Sequence, residues 1–407
     1  MADGKTGVWL IGARGGVATT VAVGLAALRR GDAPAYGLVT ETAALAGVDL
    51  PAWDQIVLGG HEVRGGTLVE SARELEKGRV IPVGAAERYA DELAAVDASI
   101  RPGVLVRSGR AIETFADAEH VAACATPREA VQKVATDLRA FRAAHDLKRV
   151  VMVLVASTEP PVDEASLPTE IEALDALLDD PLSDSPLGDD AARCPLRASS
   201  LYALGAVEAG AALVNFTPSR GANCQAIEKI FFRAGLPHCG ADGKTGETLL
   251  KSTLAPMFAA RHLHVDSWVG HNLLGNRDGA VLADLDHKKA KVQSKEQLLA
   301  SLLGEAPQSH VSIESIDSLG DWKTAWDHVH FRGFLGVPMT LQFTWQGCDS
   351  ALAAPLVIDL VRLMDLALRR QEKGAIGALA AFFKSPLGAA PRGFVEETQT
   401  LIEWATR

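Results

Sequence analysis

Long apolar runs are missing from this sequence, so no stretch reads as a membrane-spanning helix. A basic excess is also missing. The formal net charge of −11 leaves no electrostatic footprint for nucleic acid. Cysteine is scarce and scattered: Cys124, Cys194, Cys224, Cys239 and Cys348 show no CxxC spacing. That pattern excludes a disulfide scaffold and a structural zinc site, and predicts reduced thiols in a cytoplasm. The opening MADGKTGVWLIG has neither the basic segment nor the apolar core of a signal peptide, which adds to the cytoplasmic expectation. His262, His264, His271, His328 and His330 are too irregularly spaced to form a ligand set, so no metal is expected. Repeats and low-complexity tracts are absent. What remains is ordinary globular composition, 48% hydrophobic and 22% charged over 407 residues, enough for two domains or one domain with an insertion.

The first organised unit is residues 7–31. An apolar run is followed by GARGG and then by VATTVAVGLAALRRG, where Val17, Val21, Leu25 and Leu28 mark one helical face. Strand, glycine turn and helix aim backbone N–H groups and a positive helix end at a phosphate. Gly12, Ala13, Arg14, Gly15, Gly16 and Val17 are the candidate cradle, although the spacing departs from GxGxxG. Glu62 follows an apolar segment, where a carboxylate can accept from ribose hydroxyls and repel the extra phosphate of NADP. VVMVLVAS, residues 150–157, predicts a buried strand after a helix over 129–148. Residues 163–190 are acidic and proline-punctuated and read as a surface excursion, with a possible helix over 170–178. Further strand and helix signals over 198–250 predict a parallel sheet. After Leu303 the alternation in HVSIESIDSL and VPMTLQFTWQG predicts antiparallel strands, and a long helix follows.

Asp242, Asn276, Asp278, Lys291, Lys295, Asp321, Lys323, Asp349 and Lys384 all lie in glycine-bordered or apolar-flanked contexts. Lysines polarise carbonyls and bind phosphate, while carboxylates and amides hold hydroxyls, so the set suits a phosphorylated sugar. Lys291 and Lys295 are four apart, on one face if helical. The ordered motifs GADGKTGETLLKS, NLLGNRDG, the Lys291/Lys295 pair, GDWKTAWDH, CDSALAAPLVIDL and FKSP resemble those of the myo-inositol-1-phosphate synthase family. The glycine loop departs from the family's GLGGNNGS, with Arg14 introduced and both asparagines gone. Ala241, His271 and Arg277 depart from its other motifs.

The resemblance implies an α/β chain: an NAD-binding doubly wound, Rossmann-like domain with an inserted α+β domain for catalysis and tetramerisation. The expected division is 1–248, 249–350 and a return over 351–407. It implies NAD as cofactor and redox-neutral conversion of glucose 6-phosphate to inositol 3-phosphate, a step of inositol and phospholipid biosynthesis. It implies a homotetramer, with no nucleic-acid or membrane partner. It places Lys291, Lys323, Lys384, Lys295 and Asp349 in catalysis. Asn276, Arg277, Asp278, Thr245 and Lys244 fall at the substrate. The glycine turn, Glu62, Ala156, Ser157, Thr158 and Asp242 fall at the cofactor. Two alternatives stay open from the residues alone: a dehydrogenase or cyclase of another sugar or polyol phosphate, and an inactive NAD-binding regulatory paralog.

Overall fold

The structure is a computed structural model that describes residues 4–180, 182, 195–275, 299–390 and 392–407. Strand β1 (Lys5–Ile11) shows why the first sheet is buried on both sides. Val8 and Leu10 enter one apolar core while Trp9 and Ile11 enter the opposite one. Alternate side chains point to opposite faces, so a strand apolar at every position needs a layer on each side. Helix α1 (Gly16–Arg30) follows and stops at Gly31, whose φ of 71° lets its N–H reach the Ala27 and Leu28 carbonyls.

The chain then lays down β2 (Ile56–Glu62), α2 (Leu68–Lys77), β3 (Ile100–Pro102), α3 (Pro127–Ala144) and β4 (Leu147–Leu154). It continues through α4 (Ala198–Glu208), β5 (Ala212–Asn215), α5 (Gln225–Ala234) and β6 (Pro237–Gly240). All pairings are parallel, and the spatial order places β3, β2, β1, β4, β5 and β6 side by side. That order reverses direction between β1 and β4, where a doubly wound sheet opens its crevice. Helix α3 is capped by Thr126, which accepts the Glu129 N–H, with Pro127 at its first position. The predicted strand over 150–157 is shifted: β4 begins at Leu147, beside Lys5, and the backbone leaves the ladder after Leu154.

Helix α6 (Gly246–Ala260) leads into a second sheet. This contains β7 (His264–Leu274), β8 (Gln308–Ser315), β9 (Trp322–Arg332) and β10 (Pro338–Cys348), in the order β10, β9, β7, β8. The antiparallel expectation holds for β9 against both β10 and β7, but β8 runs parallel to β7. The long connection between β7 and β8 allows the crossover that a parallel pair requires. Helix α7 (Asp349–Arg369) then returns to the first sheet, which gains β11 (Gly374–Ala375) beside β6, and α8 (Phe394–Ala405) closes that side.

The return is fixed by buried polar pairs. Asp365 is fully buried on α7 and accepts from Thr6 Oγ1 at 2.6 Å, from Arg149 and from Arg369 Nε at 3.0 Å. Asp359 accepts from the Val39 and Thr40 backbone N–H groups, and Arg362 beside it bonds Thr40 and Glu41 and stacks on Trp53. Residues 39–55 between α1 and β2 contain three short helical turns, and those around Val39, Thr40 and Trp53 meet α7. Asp365→Asn should lower the free energy of unfolding by about 2–4 kcal/mol, because two guanidinium groups lose a buried counter-charge. Urea denaturation with an unchanged midpoint would show that these pairs do not hold α7.

Candidate active site

The crevice at the β1/β4 switch is a cleft of ≈ 520 Å³. Its floor is the β1–α1 turn. Gly12 has φ 86°, and a Cβ there would lie 2.9 Å from the Ala156 Cα. A Cβ on Gly16 would lie 2.6 Å from Ser350 Oγ. Both glycines therefore serve close backbone approach, and the α1 N-terminus opens on the cleft beside Gly15, Gly16 and Val17. Ala13 is buried beneath the turn, where it and Gly12 donate their N–H groups to the His61 carbonyl.

Glu62 ends β2 on the cleft wall. It accepts the N–H of Arg14 at 2.8 Å and that of Val63 at 2.9 Å, so its carboxylate is fixed before any ligand arrives. The Arg14 guanidinium is turned to Asp97 at 2.9 Å and to the Arg64 carbonyl at 3.1 Å. Ala156 and Ser157 line the cleft after β4, with Thr158 next in the chain. The glycine cradle, the helix end and the placed carboxylate together fit a dinucleotide, with its diphosphate at the turn and a ribose at Glu62.

Outside the cleft lining, residues 240–244 are zipped to residues 382–387 by backbone hydrogen bonds, and neither Asp242 nor Lys384 lines the cleft itself. Asp242 has φ 60°, and its Oδ1 accepts from Lys384 Nζ at 2.8 Å. Burial alone would lower the Lys384 pKa. The charge and hydrogen bond of Asp242, with Asp349 and Glu247 adding to them, reverse that and raise it above the ordinary lysine value. Asp349 lies in the first turn of α7 and lines the cleft, as do Ser350 and Asp321. Thr245 precedes α6 and does not line the cleft.

Lys244 is elsewhere. Its ammonium pairs with Glu397 of α8, both groups nearly fully buried, and burial lowers its pKa despite that partner. Lys323 enters β9 in register with Gly347 and Leu274 and does not line the cleft. Asn276, Arg277, Asp278, Lys291 and Lys295 lie outside the described residues. Among the described residues, no group of three or more His, Cys, Asp or Glu could hold a metal ion.

Two further carboxylates of the cleft lining, Glu159 and Asp321, had no role in the sequence reading. Glu159 is buried in the cleft lining, and burial pushes its carboxyl above the usual range, although Ser199 donates to it through N–H and O–H. Asp321 also sits in the lining with its pKa raised by burial, and it accepts from the Cys348 thiol at 2.8 Å and the Ser350 N–H at 3.1 Å. Nothing local to Glu159 announces these partners, which arrive from α4 and from the Thr217–Ser219 turn.

The model of an NAD-binding family described as myo-inositol-1-phosphate synthase matches residues 6–401. The chain is 31% identical over 407 residues to inositol-3-phosphate synthase 1 of Bacteroides thetaiotaomicron, covering 95% of this chain and 90% of that one. It is 30% identical over 256 residues to inositol-3-phosphate synthase of Spirodela polyrhiza, which is 60% of this chain and 48% of the relative. The fold is shared with the crystal structure of inositol-3-phosphate synthase from Caenorhabditis elegans, at TM-score 0.84 and 21% identity over 99% of this chain and 85% of that one. It is shared also with a myo-inositol-1-phosphate synthase-related protein from Thermotoga maritima, at TM-score 0.76 and 24% identity over 99% and 98%.

Glu62→Gln should weaken NAD binding about 10-fold, the worth of one charge-assisted hydrogen bond, and narrow the preference over NADP. Titration calorimetry with both nucleotides measures this, and equal affinities in wild type and variant would remove Glu62 from the cofactor site.

Proposed function

The chain belongs to the myo-inositol-1-phosphate synthase family, and from that premise we propose how its cleft works as an inositol-3-phosphate synthase, converting D-glucose 6-phosphate to 1D-myo-inositol 3-phosphate. NAD, which the β1–α1 turn and Glu62 would hold, would supply the hydride acceptor for carbon 5 of the sugar and the hydride donor at the end, making the net reaction redox-neutral. The protein's task is to hold the sugar beside that cofactor, move protons and stabilise oxygen anions.

The observation that carries the assignment of roles is the Lys384–Asp242 pair, whose ammonium also feels the charge of Asp349 in the cleft lining. A lysine whose pKa is raised stays an ammonium at neutral pH. It suits anion stabilisation rather than proton abstraction. We therefore assign Lys384 to the oxyanion that forms when carbon 6 loses its proton and when carbon 1 is attacked. Asp349 is assigned to the reacting hydroxyls, and Lys323 assists the aldol alkoxide. Lys291 is assigned to the carbon 5 hydroxyl, with Lys295 assisting the anion stabilisation, and Asn276, Arg277 and Asp278 to the substrate contacts that the resemblance gives them. Thr245, with the N-terminus of α6, is assigned to the sugar phosphate. Lys244 is left out, because its ammonium is committed to Glu397.

On this reading residues 1–248 and 351–407 build the cofactor domain and 249–350 the catalytic insertion, consistent with β11 joining the first sheet. Self-association into a tetramer is supported by apolar side chains exposed around the β9–β10 turn. Phe334 is 88% and Leu335 83% exposed, with Val337 and Met339 nearby. Cys124, Cys224, Cys239 and Cys348 are free thiols, which supports a reducing compartment such as the cytoplasm. Among the described residues no helix is long and apolar enough to cross a membrane.

Purified protein with glucose 6-phosphate and NAD⁺ should yield inositol phosphate, identified by mass and NMR, without added reductant. Accumulation of free NADH with turnover would instead favour a dehydrogenase. Lys384→Ala should lower kcat about 10³-fold, the usual loss when one anion-stabilising group is removed. Asp242→Asn removes the charge that most strongly opposes the burial of Lys384, so the alkaline limb of the kcat/KM profile should move to lower pH. An unmoved limb would detach that limb from Lys384.

A further inference from the structure

The cofactor cleft has two walls from different parts of the chain. One is α2 and the turn after it, which supply Ser71, Glu74, Leu75, Gly78 and Val80. The other is the loop before β9, which supplies Gly320 and Asp321, backed by Asp349 and Ser350. The second wall is fastened to its own side. Asp321 is held by Cys348 and Ser350, and Gly275 packs so closely on Leu319 and Gly320 that a Cβ there would lie 2.5 Å from the Gly320 nitrogen. Across the cleft mouth, Trp322 Nε1 donates to the Gly78 carbonyl at 2.8 Å. Gly78 ends α2, where a helix has carbonyls without intrahelical partners. Trp322 is 40% exposed, so its ring is not there to fill a core.

We propose that Trp322 is a latch, and that its indole hydrogen bond to the end of α2 holds the two walls together over a bound dinucleotide and slows its escape. This rests on the synthase reading for its purpose and on geometry for its existence. A redox-neutral cycle takes a hydride from carbon 5 and must give it back to the same sugar. Loss of NADH between the two transfers leaves a ketone and a reduced cofactor in solution. A hydrogen bond across the mouth opposes that loss without touching either reactant. Trp322 is a positioning residue on this account: it acts through the wall it ties.

The test is the dissociation rate of NAD⁺ and of NADH from the full-length protein, measured by stopped-flow displacement without sugar. Trp322→Phe keeps the ring and removes the donor, and Trp322→Ala removes both. Both variants should release nucleotide about 3- to 10-fold faster, the scale of one partly exposed hydrogen bond, at an unchanged denaturation midpoint. In turnover, free NADH released per inositol phosphate formed should rise. Release rates equal to wild type in both variants overturn the latch. Acceleration in Trp322→Ala alone assigns the effect to ring packing and overturns the hydrogen-bond latch. A wild-type protein that binds nucleotide tightly but makes no inositol phosphate sinks the synthase reading while leaving the release-rate comparison intact.

Discussion

The carboxylates of Asp359 and Asp365 lie inside the core of the first domain on a helix that arrives late in the chain, and Thr40, Thr6 and Arg149 meet them there. Taking such groups out of water costs several kcal/mol each unless every lone pair finds a donor. The two ends of the chain are thereby committed to one register, since no apolar packing of α7 would punish a shift as strongly. The site inherits that register. Ser350 can approach Gly16 as closely as it does because the helix behind it cannot slide, and Asp349 and Asp321 keep their places for the same reason.

Three lysines show how surroundings, rather than residue type, decide what an ammonium does. Lys244 is sealed against Glu397 and ties the loop after β6 to α8. Lys251 is fully buried, with Glu247 at 2.6 Å and Asp327 at 3.5 Å, and its charge lies over Trp268. A side chain at Gly270 would collide with that group, since a Cβ would meet Glu247 Oε1 at 2.8 Å. Lys384 alone of the three keeps part of its side chain exposed, 24%, and it feels the charge of Asp349 in the cleft lining. A buried ion pair is a poor reagent, because its partner holds the charge that a substrate would need. A half-open pair can exchange one partner's hydrogen bonds for those of a sugar at little cost.

The sequence carried the first domain well where its signal was local. The strand–glycine–helix unit over 7–31, the apolar strand near 150 and the return of a helix after Cys348 each have a periodicity that tertiary packing only trimmed. The place of Glu62 on the cleft wall was legible because the carboxyl end of a strand is a positional signal. The parallel pairing of β8 was not, since alternation specifies a strand and not its direction. Lys244 misled for a related reason. A glycine-rich motif shows that a turn exists, but not which of its side chains points inward, and Glu397 that claims it comes from the far end of the chain. Glu159 and Asp321 were missed or left without roles because their partners are hydroxyls, a thiol and an amide, residue types too common to stand out in a string.

The cleft therefore has no single owner. Its floor belongs to the β1–α1 turn, one wall to α2, and the opposite wall to the segments around Asp321 and Ser350. A ligand that touches all three stabilises by mass action the contact between the parts of the chain that build them. On the proposed chemistry this coupling has a use. The wall that would keep the dinucleotide in place carries Asp321 and Asp349, while Lys384 is held by the backbone of residues 240–244, so retaining the cofactor and building the proposed reaction site draw on both parts of the chain. A dehydrogenase that exchanges its cofactor every turnover would gain nothing from a wall built on the catalytic insertion. An enzyme that must give its hydride back does.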